Sequence, residues 1–307
     1  MQISLFHTIS GRGPELGIDE YLADLEQFRS EGFGRVWSAQ MPDAADTLTV
    51  FAAAGREVPD IGLATGVLPI QPQHPMQLAQ RALTVNALVH GRLTLGVGLT
   101  HQIVTEGMWG IGYDRPVRRA REFLDGLLPL LNGENVDAAG ELTTTRGAVS
   151  FPETPAPPVY LAALGPQMLD LAGRRTAGTV TWMTGPKTLA GHIVPRLREA
   201  AQKAGRTDPV RTVAMLPVAV TDDVDGARTA ASKAFRMYDS LPAYRAMLDR
   251  EGYEHAWDAA IIGDEATVGQ HLDELAEAGI DEFGAIVYDR DPAVRDRTRA
   301  LLRSRFH

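Results

Sequence analysis

The sequence predicts an α/β protein folded as a (β/α)8 TIM barrel with insertions, one domain spanning residues 1–307. Three observations lead there. Eight short apolar runs, near residues 2, 35, 61, 93, 159, 179, 213 and 283, are each followed by a stretch of helical periodicity. The run at 61–68 is apolar with small residues, as expected for a strand buried on both faces of a parallel sheet. The length of 307 residues exceeds the roughly 250 that a barrel needs, and no linker or composition shift divides it. An open doubly wound sheet accounts less well for strict alternation sustained over this length.

Residues 1–9 read as the first strand, with His7, Thr8 and Ser10 at its C-terminal end and a glycine-rich loop at Gly11-Arg12-Gly13-Pro14. Residues 18–30 form an amphipathic helix whose first turn carries Asp19 and Glu20, the sign that the helix dipole favours. A strand at 35–38 leads through Ala39-Gln40-Met41 to a helix over 46–55. Residues 61–68 are the third strand. The next helix opens at His74-Pro75, with His74 as its cap, and stops at His90-Gly91. A fourth strand over 92–97 delivers Gly98-Leu99-Thr100-His101 to a loop that contains Glu106, Trp109 and Tyr113. A helix over 116–131 and an inserted hairpin over 137–149 follow. Strands at 157–164 and 178–183 each run into a Gly-Pro helix start, at Gly165-Pro166 and Gly185-Pro186. A strand at 211–220, a long helical region over 222–250, a helix over 267–278, a strand at 283–288 and a helix over 292–303 complete the chain.

Composition narrows the function classes. Hydrophobic content of 44% and charged content of 22% are those of a globular protein, and no apolar run approaches the roughly 20 residues of a membrane helix. The opening MQISLFHTIS has neither a basic region nor a small-residue cleavage site, so a cytoplasmic protein is expected. Zero cysteines exclude disulfides, thiolate metal sites and a cysteine nucleophile. A net charge of −9 argues against a nucleic-acid partner, while leaving room for a local site for an anionic cofactor. The eight histidines form no HExxH or HxH pair, and no GxSxG occurs, so neither a metal centre nor a hydrolytic triad is expected.

The chemistry-bearing residues gather at strand C-termini, where α/β folds build their sites. Parallel strands bring Thr65-Gly66-Val67 and Gly96-Val97-Gly98-Leu99-Thr100-His101 to the same edge. Gly96 and Gly98 lack the third glycine of a dinucleotide fingerprint, and they read as positions where a flat ring system approaches the strand end. Thr65-Gly66-Val67 is a place where a cis bond would serve a ligand. Gly165-Pro166-Gln167 offers helix N–H groups to a phosphate, and Trp182-Met183-Thr184-Gly185-Pro186 repeats the arrangement one strand later. His101 reads as a proton donor or ligand contact, with a structural role as the alternative.

LATGVLP, HPMQLAQRALTV, GRLTLGVGLTH, YDRPVRRAREFL, PPVYLAALGPQMLDLAG and TVTWMTGP, in this order and spacing, resemble the luciferase-like monooxygenase superfamily. Within it they look like the coenzyme F420-dependent oxidoreductases related to methylenetetrahydromethanopterin reductase. LPAYRAMLDREG and IIGDEATVGQHLDELAEAGIDEF extend the likeness almost to the C-terminus. The resemblance implies a bacterial luciferase-like barrel that binds F420 and transfers a hydride to or from a C=C, C=N or carbonyl/alcohol group, as a reductase. It matches Gly66-Val67, after Thr65, to the family's non-prolyl cis bond behind the cofactor ring. Ala163, Leu164, Gly165, Pro166 and Gln167 match the phosphate segment, with Met183 and Thr184 beside it. Gly98, Leu99, Thr100 and His101 match the segment lining the ring. Many relatives carry a polar pair such as Asp-His where this chain has Ala39-Gln40. Gln40 is then a cofactor contact, and the candidate catalytic residues are His101, His7 and Glu106. A small-molecule or peptide-borne substrate and a homodimer are implied. The competing readings are a reduced-FMN monooxygenase of the same superfamily and a non-catalytic flavin-binding barrel.

Overall fold

The structure, a computed structural model, describes residues 1–9, 17–151, 154–289 and 291–306. Ser10 and the glycine-rich loop at 11–14 lie outside the described residues. In chain order the strands are β1 (Gln2–Phe6), β2 (Arg35–Ser38), β3 (Gly62–Thr65), β4 (Leu68–Pro69), β5 (Leu93–Gly98), β6 (Val136–Ala139), β7 (Thr144–Gly147), β8 (Val159–Ala162), β9 (Gly178–Trp182), β10 (Arg211–Val220), β11 (Ile261–Gly263) and β12 (Glu282–Val287). Eight of these, β1, β2, β3, β5, β8, β9, β10 and β12, fall at the eight predicted positions. Each is followed by a helix, which makes the (β/α)8 fold.

The chain forms two compact units. One comprises residues 7–30 and 34–162, the other residues 1–6, 31–33 and 163–307. In the first, β2, β3, β5 and β8 run parallel, with Arg35 opposite Gly62, Leu63 opposite Leu93 and Leu95 opposite Val159. Their helices are α1 (Ile18–Ser30), α2 (Thr47–Glu57), α3 (Pro75–Leu88), α4 (Gln102–Gly107) and α5 (Pro116–Leu131). Trp37, Phe51, Leu63, Leu78, Leu95 and Phe123 are buried in this unit's core. His74 caps α3 as expected: its Nδ1 accepts the N–H of Met76, Pro75 occupies the first turn, and Nε2 lies 3.0 Å from the Thr144 carbonyl. The hairpin β6–β7 is held by Glu122 of α5, whose carboxylate accepts the N–H groups of Glu141, Leu142 and Thr143.

In the second unit β1 pairs with β12, β12 with β10, β10 with β9, and β11 joins the end of β10, all parallel. Its helices are α6 (Pro166–Arg175), α7 (Pro186–Thr188), α8 (Val194–Lys203), α9 (Val224–Phe235), α10 (Pro242–Glu251), α11 (Glu265–Glu277) and α12 (Pro292–Ser304). A π turn at Leu189–Ile193 joins α7 to α8. Arg299 of α12 pairs with Glu31 at 2.9 Å, both partners largely shielded from water.

Four elements differ from the sequence reading. The run at 61–68 is two strands, because the chain bulges at Gly66-Val67 between β3 and β4. The loop after His101 contains the short helix α4. The region 222–250 breaks before Pro242, since the residue preceding a proline is pushed out of helical conformation, and Leu241 is extended. The strand β11 was not expected: three residues are too few for a periodic signal.

Candidate active site

In the first unit the bulge after β3 is built by a side chain that substitutes for the ladder. The Thr65 hydroxyl donates to the Gly96 carbonyl at 2.7 Å and accepts the Gly96 N–H at 2.8 Å. The Gly66-Val67 peptide is cis; Gly66 N–H donates to the Ser38 carbonyl, and the Val67 carbonyl accepts the Gln40 N–H. Space beside β5 is consumed by this arrangement. A Cβ at Gly96 would lie 1.9 Å from the Thr65 carbonyl oxygen, and one at Gly98 would lie 2.9 Å from both Ala162 Cβ and Val67 Cγ2. A requirement for glycine at both positions thus comes from the protein's own bulge.

In the second unit the two Gly-Pro junctions, alike in sequence, differ in kind. At the first, Gly165 precedes α6 with φ −78° and ψ 156°, and no side chain caps the helix. A Cβ on Gly165 would meet no atom within 4 Å. The helix start is thus uncapped by any side chain and has open space beside Gly165, at the positive end of the helix, which suits a phosphate. The preceding carbonyls are held in place: Thr179 Oγ1 donates to Ala163 at 3.4 Å, and His192 of the π turn lies with Nε2 2.9 Å from the Leu164 oxygen. At the second junction the seat is taken. The Glu251 carboxylate, 4% exposed, accepts the N–H groups of Lys187 at 3.0 Å and Thr188 at 2.7 Å. A Cβ on Gly185 would strike it at 2.5 Å. Of the two junctions that the sequence offers to a phosphate, the second has its Lys187 and Thr188 N–H groups already taken. Met183 and Thr184 are enclosed by protein, and the Thr184 hydroxyl bonds back to the Trp182 carbonyl.

The sequence profile of the luciferase-like monooxygenase family matches residues 3–282. The chain belongs to this family. It is 29% identical over 254 residues to a 5,10-methylenetetrahydromethanopterin reductase of Methanolobus tindarius, covering 81% of this chain and 75% of that one. It is 32% identical over 198 residues to an F420-dependent glucose-6-phosphate dehydrogenase of Mycolicibacterium gilvum, covering 62% and 58%. In fold it is similar to the coenzyme F420-dependent tetrahydromethanopterin reductase of Methanopyrus kandleri, with a TM-score of 0.81, 19% identity and coverage of 100% and 99%.

Within this member of the family the three candidate catalytic side chains have different surroundings. His7 stacks on Tyr21 of α1 with ring centroids 5.5 Å apart, and its Nε2 lies 2.8 Å from Asp24. Glu106 is exposed and closes its own loop, accepting from Gln102 Nε2 and the Tyr113 N–H. His101 stands half-buried where β5 gives way to α4, and burial holds its imidazole below the ordinary histidine range. Gln40 spends its side chain on its own loop, accepting the Thr47 N–H at 2.8 Å and donating to the Met41 carbonyl at 2.9 Å. Leu99 and Thr100 are half-buried, next to His101 at the strand end.

Gln71, His192 and Glu251 were not singled out from the sequence. Their partners lie 28 to 64 residues away, and no local spacing announces such contacts.

Proposed function

We propose that this chain is an F420-dependent oxidoreductase that works as a reductase on a C=C, C=N or carbonyl/alcohol group of a small or peptide-borne organic substrate. The observation that carries the reading is the open, uncapped start of α6 at Gly165, in a chain whose sequence relatives include enzymes named for F420. When bound, the deazaflavin supplies the hydride chemistry, and the protein supplies binding, orientation and a hydrogen bond to the developing charge. Ala163 to Gln167 hold the phosphate, with Met183 and Thr184 as buried support behind that segment. Gly98, Leu99, Thr100 and His101 line the ring, and the bulge of Thr65, Gly66 and Val67 backs it, with Gln40 bracing the bulge through its N–H.

We assign His101 the hydrogen bond to the reacting group, since it stands half-buried at the end of β5, next to Leu99 and Thr100 of the segment that lines the ring. The whole chain acts as one luciferase-like domain, in the cytoplasm and as a homodimer. The lack of cysteine fits a reducing compartment, and among the described residues no helix is long and apolar enough to cross a membrane.

Equilibrium titration of the apo protein with oxidised F420 and with FMN, followed by fluorescence, tests the proposal. Tight F420 binding with weak FMN binding is expected. Preference for FMN would assign the chain to the oxygenases, and binding of neither would remove the reading.

His101 gives the reading a pH signature. Its lowered value means that the neutral imidazole prevails at pH 7 and that the acid limb of kcat/KM falls below the ordinary histidine value of about 6.5. His101→Gln removes that limb; its persistence in the variant excludes His101 as the titrating group. The sign for stability is the same. Below about pH 6.5 the unfolded chain takes up the proton first, so the folded state loses stability as pH falls through the lowered value.

A further inference from the structure

Beside the segment assigned to the ring, one buried donor has no acceptor. Ile70 N–H donates to the Gly98 carbonyl at 3.0 Å, which lays the residues after β4 along the end of β5. The next side chain, Gln71, is 8% exposed, and its Oε1 accepts the Thr100 N–H at 3.3 Å. That bond fixes the amide's orientation, because the reversed amide would set an NH2 against an N–H. Nε2, on the same carbon, is shielded from solvent and has no partner. A buried donor left unsatisfied is costly, so such a group calls for a partner that the folded chain itself does not supply.

We infer that Gln71 is a cofactor-contacting residue, its side-chain NH2 donating to a carbonyl oxygen on the pyrimidinedione edge of the bound deazaflavin. The inference rests on the F420 reading above. The terminal torsion of a glutamine is soft, so a small rotation presents Nε2 to a ring seated on residues 98–101 with Oε1 still in reach of the Thr100 N–H. Leu99 and Thr100, half-buried, leave that surface partly open. An oxygen acceptor is what this donor requires, and an aliphatic ligand surface would leave it unpaired.

The test compares wild type, Gln71→Glu and Gln71→Met as full chains, titrated with oxidised F420. Gln71→Glu keeps an acceptor for Thr100 and replaces the donor by a second acceptor. It weakens F420 binding by more than about thirtyfold, and Gln71→Met by about tenfold. The absorption band of bound F420 is displaced in Gln71→Met relative to wild type, a change that a purely structural residue would not cause. Thermal melting establishes that each apo variant is folded, and Gln71→Met decides the matter if the buried carboxylate unfolds the other. A folded Gln71→Met with wild-type affinity and an unshifted band overturns the inference and leaves the F420 reading standing. A wild type that does not bind F420 overturns both.

Discussion

Gly165→Asp will hold or raise the melting temperature while abolishing cofactor binding. The backbone at Gly165 is one that any residue adopts, and a Cβ there meets open space, so the substitution strains nothing. Aspartate caps a helix better than glycine, adds negative charge where the dipole favours it, and reduces the freedom of the unfolded chain. Together these stabilise by about 1 kcal/mol. The same carboxylate then accepts the first-turn N–H groups of α6 and repels an incoming phosphate. Losing one or two charge-assisted hydrogen bonds weakens F420 binding by about a hundredfold or more. Differential scanning calorimetry and a binding titration on the same preparation give both quantities. Undiminished F420 affinity in a folded variant would place the phosphate elsewhere.

Gly96→Ala is expected to do the reverse and break the fold. The new methyl would sit 1.9 Å from the Thr65 carbonyl oxygen, a backbone atom that no rotamer change moves. Relief requires β3 to separate from β5, which also breaks the two hydrogen bonds between the Thr65 hydroxyl and Gly96. Overpacking together with stranded buried polar groups costs about 4 kcal/mol, a large part of the stability of an ordinary domain. Gly98→Ala is milder, about 2 kcal/mol, because one neighbour at 2.9 Å is a Val67 methyl that can turn, while the other, Ala162 Cβ, moves only with its strand. Urea unfolding midpoints order the two. Equal midpoints for Gly96→Ala and wild type would mean that the bulge does not press on β5.

The sequence made the eight strand positions legible because buried parallel strands are continuous apolar runs, and those of β5, β8 and β10 are bounded by glycine or proline. The cap at His74 and the hairpin at Gly140 were equally plain, since each depends on neighbours in sequence. Legibility ended where the meaning of a residue depends on a distant one. Gly165 and Gly185 sit in the same local pattern, and only the approach of Glu251 separates an open helix start from a filled one. Gly96 looked like room for a ligand because nothing local reveals that Thr65 presses against it. Glu106 stood as a candidate catalytic residue because its loop partner, Tyr113, contributes a backbone N–H, which composition cannot display. Gln71 is ordinary in sequence and becomes conspicuous only by what its nitrogen lacks.

The carboxylate of Glu251 also ties two distant stretches of chain into one opening event. Lys187 and Thr188 give their amide protons to a residue 64 and 63 positions later, at the last turn of α10. Those protons exchange with solvent only when α10 lifts away. Their exchange rates therefore clock the undocking of α10.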